Sequence, residues 1–139
     1  MASEGYPGSH QAEEGYRGPV LHSAAMEWKP VPGKVVGVEE KTLANKSENP
    51  GQLWVSQARL LPGGVFPKHH HPYPQMFIFL EGEGVVELDG ERVPVGPGTV
   101  VRMFRGESHM VLNESDRDLV LFQIALPLWR PAGGGEEEA

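Results

Sequence analysis

Six histidines occur in the chain, and four of them, His69, His70, His71 and His109, are placed where they could act on a metal ion. In an extended strand, residues two apart project to the same face, so His69 and His71 point together while His70 points away. Two imidazoles on one face make a pair of ligands. A third donor, four residues after His71 and past the turn Pro72-Tyr73-Pro74, would be Gln75. A fourth must come from a distant strand, where His109 is the only histidine. With no cysteine in the chain, imidazole nitrogens and carboxyl or amide oxygens are the donors on offer. The same three adjacent histidines are equally compatible with a polar loop and no metal; spacing alone does not separate the two.

Such a set has to be held by strands. Period-two or short apolar runs place strands at Lys34–Glu39, Leu53–Leu61, Gln75–Glu81, Gly84–Leu88, Glu91–Val95, Thr99–Met103, His109–Asn113 and Leu119–Ala125. Asp89-Gly90 lies between two of them as a two-residue hairpin signal, and Pro62-Gly63-Gly64 and Gly96-Pro97-Gly98 mark where others stop. Residues 22–30, with Met26 and Trp28, suit either a short helix or an edge strand. Many short strands without an amphipathic helix of useful length point to a sandwich or closed barrel.

A chain of 139 residues has room for one domain. Residues 1–18 are polar and glycine-rich and read as a disordered or loosely attached arm, 19–132 as the barrel, and 133–139 as a flexible acidic tail. The formal charge of −7 is concentrated at the ends, leaving 19–132 near neutral with no basic stripe, so nucleic acid is not expected as a partner. No apolar run is long enough for a transmembrane helix, and the first residues do not read as a secretory signal. Together with the absence of cysteine, this fits a cytoplasmic protein.

Residues 63–113 resemble the paired motifs of the cupin family. Gly63-(x)5-His69-x-His71-(x)3-Gln75-(x)6-Gly82 follows the first motif, G(X)5HXH(X)3–4E(X)6G, with glutamine in place of glutamate. Gly98-(x)5-Phe104-x-Gly106-(x)2-His109-(x)3-Asn113 follows the second, G(X)5PXG(X)2H(X)3N, with phenylalanine in place of proline. The resemblance implies an all-β, single-domain jelly-roll barrel, the cupin double-stranded β-helix. It implies His69, His71 and His109 as ligands of one divalent transition metal per chain, with Gln75 where the family has its glutamate ligand. It also implies structural roles for the four glycines and Asn113, an altered loop at Phe104, and a homodimer.

Gln75 could bind only through its neutral amide oxygen, so a dication held by three imidazoles would keep its full charge locally. That makes a stronger Lewis acid toward an anionic, chelating small molecule such as an enolate, a carboxylate or a 1,3-dicarbonyl. Four ligands leave two exchangeable positions on an octahedron, which suits Fe, Mn, Ni or Co, and the imidazole-rich set also admits Zn or Cu. Phe77 and Phe79 share the parity of Gln75 and should face the interior. Trp54, Gln57, Arg59, Tyr73 and Met103 are further candidates for substrate contact. Arg59 would anchor a carboxylate or enolate if it faced inward and would be solvated if it faced outward. No residue is singled out as catalytic.

Three functions are compatible with this set. The first, and the main expectation, is a dioxygenase using the open metal positions on a small, partly apolar, chelating substrate; the other two are alternatives. The second is a non-redox isomerase, lyase or polyketide cyclase. Small cupin isomerases carry a similar histidine–histidine–glutamine–histidine set. Polyketide-cyclase cupins show a histidine pair followed by Pro-Tyr, as His71-Pro72-Tyr73 does here, and an end resembling Pro127–Pro131. The third is a non-catalytic, metal-dependent binding module.

Overall fold

The computed structural model describes residues 15–33 and 35–130. Most of the expected N-terminal arm, Lys34 and the whole of the expected acidic tail lie outside the described residues. Among the described residues nine strands are formed: β1 (Lys29–Pro30), β2 (Val36–Ala44), β3 (Trp54–His69), β4 (Gln75–Glu81), β5 (Gly84–Leu88), β6 (Glu91–Val95), β7 (Val100–Met103), β8 (His109–Leu112) and β9 (Leu119–Ala125). They pair in the order β6-β5-β8-β3-β9-β4-β7, with β2 against β3 and β1 against β2, and every pairing is antiparallel. The sheet curls on itself into an all-β jelly-roll barrel, as expected.

Alternation fills the barrel. Phe77 and Phe79 of β4, Ala58 and Leu60 of β3, Val86 of β5, Met103 of β7, Val111 of β8 and Leu119 and Leu121 of β9 make one buried core. Burying each of the larger side chains contributes about 1.5–3 kcal/mol relative to leaving it in water. The β5–β6 hairpin turns at Asp89 and Gly90, both with positive φ, as a two-residue turn between twisted strands demands.

Strand β3 departs from the sequence expectation. It was expected to end at Leu61, because Pro62-Gly63-Gly64 reads as a turn; instead it continues to His69. The glycines form a corner within the strand. Trp54–Leu60 pairs with β9, and Val65 to His69 pairs with β8. Gly63 adopts φ 82°, and a Cβ on Gly64 would come within 2.5 Å of the Gly37 carbonyl oxygen on β2, so the crossing of the two backbones requires glycine. Asn113 clamps the corner: Gly63 N–H donates to its carbonyl, its own N–H donates to the Gly64 carbonyl, and its buried amide donates to the Leu60 carbonyl.

The expected strand at 34–39 starts later and runs on to Ala44. Segment 22–30 contains both expected elements in part, a single 3-10 turn at Ser23–Ala25 and the short edge strand β1. It packs on the outer face of the barrel, where Trp28 lies beneath Lys41 and Arg59.

Candidate metal centre

The corner in β3 delivers His69 directly opposite His109, its partner in the register of β3 against β8. Two residues beyond the end of β3, His71 brings its ring to 4.7 Å from that of His69. Ligand nitrogens of His69, His71 and His109 all lie within 4.8 Å of one another. His70 points outward and is exposed.

The protonation of this cluster follows from its backbone partners. His69 Nδ1 lies 2.6 Å from the Pro67 carbonyl oxygen, and His109 Nδ1 lies 3.0 Å from that of Glu107. A carbonyl oxygen only accepts, so both Nδ1 atoms carry the hydrogen and both Nε2 atoms present lone pairs. Those two Nε2 atoms face each other at 3.1 Å. Lone pairs at that distance repel unless a proton or a cation lies between them. A proton is disfavoured at His109, where burial pushes the pKa below its ordinary value. At His71, burial and then the neighbouring histidines lower it to about 4. His71 and His109 are thus neutral and ligand-ready near pH 7.

Gln75 opens β4 and is buried, pointing inward with Phe77 and Phe79. Its side-chain oxygen is buried without a hydrogen-bond partner. An unpaired buried carbonyl costs about 1–3 kcal/mol, and a cation within reach would remove that cost. Two imidazole nitrogens directed at each other, a third imidazole beside them and an orphan amide oxygen in the same cavity fit a divalent transition metal, which His69, His71 and His109 would hold, with Gln75 as the candidate fourth donor.

His69, His71 and Gln75 form part of the wall of a cavity of about 360 Å³, to which Trp54, Phe66 and Tyr73 add broad aromatic faces; His109 is buried behind them. Tyr73 stacks on His71, with ring centroids 4.6 Å apart, and burial raises its pKa. Phe77 does not reach the cavity; it packs behind the cluster, 5.5 Å from the His109 ring. Phe79 and Met103 are deeper in the core. Arg59 is not brought to the cluster at all. Its neighbours Ala58 and Leu60 take the inward positions, so Arg59 projects outward, where it pairs with Glu39 and covers Trp28. Gln57 shares that outward parity.

Several cavity residues were missed in the sequence, among them Phe66, Glu40 and Gln123. Phe66 fell within what looked like a loop after Pro62-Gly63-Gly64. Glu40 stood one residue beyond the expected end of its strand, in a Glu-Glu-Lys run that reads as a solvated face. Continuing the alternation from Val38 would have turned it inward.

The family model described as Cupin domain matches residues 56–125, half of the chain. A tetracenomycin polyketide synthase protein, TcmJ, of Streptomyces glaucescens is 30% identical over 83 residues, 58% of this chain. The match covers 56% of that protein, so the chain spans just over half the length of this curated relative. Among solved structures, a predicted oxalate decarboxylase from Thermotoga maritima superposes with a TM-score of 0.72 at 26% identity, covering 79% of this chain and 100% of that one. The polyketide cyclase RemF from Streptomyces resistomycificus superposes with a TM-score of 0.70 at 17% identity, covering 86% and 92% respectively. Motif spacing, barrel topology and the matched span agree, and the chain belongs to the cupin family.

Proposed function

We propose that this cupin is a metal-dependent enzyme of the non-redox class, acting on an enolisable poly-β-carbonyl substrate in the manner of a polyketide cyclase. The carrying observation is the uncharged donor set: three imidazoles and the orphan oxygen of Gln75, opening on a cavity with aromatic walls. A dication in that set supplies Lewis acidity toward a pair of carbonyl oxygens. Neutral donors stabilise a higher oxidation state less than a carboxylate does, which favours charge polarisation over the dioxygenase chemistry that the open positions first suggested. The names of TcmJ and RemF lend support to the same reading.

The chain's own residues supply the remainder. Trp54, Phe66 and Tyr73 offer flat apolar faces to a conjugated, planar substrate and limit water around it. Burial keeps the Tyr73 phenol protonated well above neutral pH, so it can donate a hydrogen bond to a substrate oxygen. A second cavity of about 520 Å³ shares Val31 and Glu40 with the first, giving space for an extended chain.

The test is cyclisation of a linear triketone, heptane-2,4,6-trione, whose internal aldol closure expels water and forms a phenol. Protein loaded with Zn²⁺ is expected to accelerate closure equally in air and under argon. Turnover that needs both oxygen and a redox-active metal would instead restore the dioxygenase assignment.

A further inference from the structure

We propose that Glu40 is the proton-transferring residue of this cavity, taking the hydrogen from the carbon between two carbonyl groups of the substrate and returning it later. The inference rests on the enolisable-substrate reading above and adds to it a residue that belongs to neither sequence motif.

Glu40 lies on β2 opposite Ala58 of β3, and its half-buried side chain lines the same cavity as His69, His71 and Gln75. One carboxylate oxygen, Oε2, accepts a hydrogen bond of 2.7 Å from Gln123 Nε2. Gln123 is held in turn: it is buried, and its Nε2 also lies 3.0 Å from the Oγ of fully buried Ser56. Among the described residues no arginine, lysine or histidine forms an ion pair with Glu40. Its neighbour Glu39, by contrast, faces outward and is neutralised by Arg59.

This arrangement suits a base. The carboxylate is oriented through one oxygen while the other, Oε1, has no protein partner among the described residues. It is not spent on a cation. Burial raises its pKa above the ordinary carboxylate value, with the Gln123 hydrogen bond opposing in part, so its affinity for a proton is increased. The other titratable groups around the cavity are Lys46, His69, His71 and Tyr73; Lys29 of β1 lies opposite Glu40 in register, Arg17, Glu27 and Lys41 line the adjoining cavity that Glu40 shares, and Glu39 is its outward neighbour on β2.

The step balances without any co-reactant. The substrate C–H bond breaks, an O–H bond forms on Glu40, and the electron pair is delocalised onto the two carbonyl oxygens as an enolate. Reprotonation, or transfer of the proton to the alkoxide that carbon–carbon bond formation creates, regenerates the carboxylate.

The experiment follows deuterium uptake from D₂O at the single acidic carbon of ethyl 2-methylacetoacetate by NMR, with Zn²⁺-loaded protein. Wild type is expected to exceed the rate given by the same Zn²⁺ concentration in buffer. Glu40→Gln can still accept the Gln123 hydrogen bond; it is expected to keep its metal and melting temperature but lose about a hundredfold in exchange rate. Glu39→Gln makes the same charge change on the outer face and is expected to match wild type. Glu40→Asp should retain a reduced rate and the acid limb of the pH profile. A separate readout is the Glu40 carboxyl resonance in ¹³C-labelled, metal-free protein, expected to titrate above the ordinary glutamate range. Full exchange by metal-loaded Glu40→Gln overturns the role of Glu40 and leaves the proposed function standing. Absence of any enhancement by wild type overturns both.

Discussion

The hydrogen on Nδ1 of His69 and of His109 is fixed by a backbone carbonyl two residues earlier, and this directs both Nε2 lone pairs inward. Burial then keeps His71 and His109 neutral, His71 down to about pH 4. Protons compete with a metal only where the ligand's own pKa lies near or above the ambient pH. With its pKa near 4, His71 should release no proton on metal binding between pH 5.5 and 7, and His109, shifted in the same direction, should release less than an ordinary histidine. Cobalt titrations over that range are therefore expected to displace clearly fewer protons per metal than three free imidazoles would. A slope approaching three protons would show that the histidines are as solvated as free imidazole. The convergence of His69, His71 and His109 was legible because period-two geometry and motif spacing bring those three imidazoles together. Glu40 was not legible, because nothing local distinguishes a carboxylate turned inward from the charged surface run in which it stands.

At the scale of elements, the site depends on strands that bend. In β3 the sequence Pro62-Gly63-Gly64 has the composition of a turn, yet its glycines serve the close passage past Gly37, and the strand continues beyond them. Whether glycine ends a strand or bends it is decided by what crosses it, and β2 is distant in sequence. The same limit hid the orientation of Arg59, which depends on register with β2 and β9. The connection after β2 is held by Glu48, whose buried carboxylate accepts from the Asn45 N–H and from the Arg17 guanidinium and backbone N–H. The Arg17 guanidinium beside it holds its pKa at about 2, well below the usual carboxylate range. Because the folded-state value is depressed, the resulting stability is fully present above the unfolded value of about 4.3 and is lost as pH falls toward 2. Arg17→Ala is expected to cost about 1–3 kcal/mol in urea denaturation at pH 7 and little at pH 2. An equal loss at both pH values would mean that the ion pair is not its source.

At the scale of the whole molecule, the four donors tie the barrel together. His69 comes from the end of β3 and His71 from just beyond it, His109 from β8 beside it, and Gln75 from β4 on the far side of β9. The three histidines lie within one chain. A cation held by this set would link strands that pair through β9, so its binding energy would add to folding energy. Its removal leaves two opposed lone pairs and the unpartnered oxygen of Gln75 in place. Metal at about a thousandfold above its dissociation constant would stabilise the fold by about 4 kcal/mol. For a barrel of this size that corresponds to a rise in melting temperature of roughly 10–20 °C, which a chelator should abolish. His109→Ala is expected to melt at one temperature with or without chelator, because the bridge between β3 and β4 has lost its central ligand. A wild-type protein that carries metal yet melts unchanged after chelation would place that metal outside this cluster.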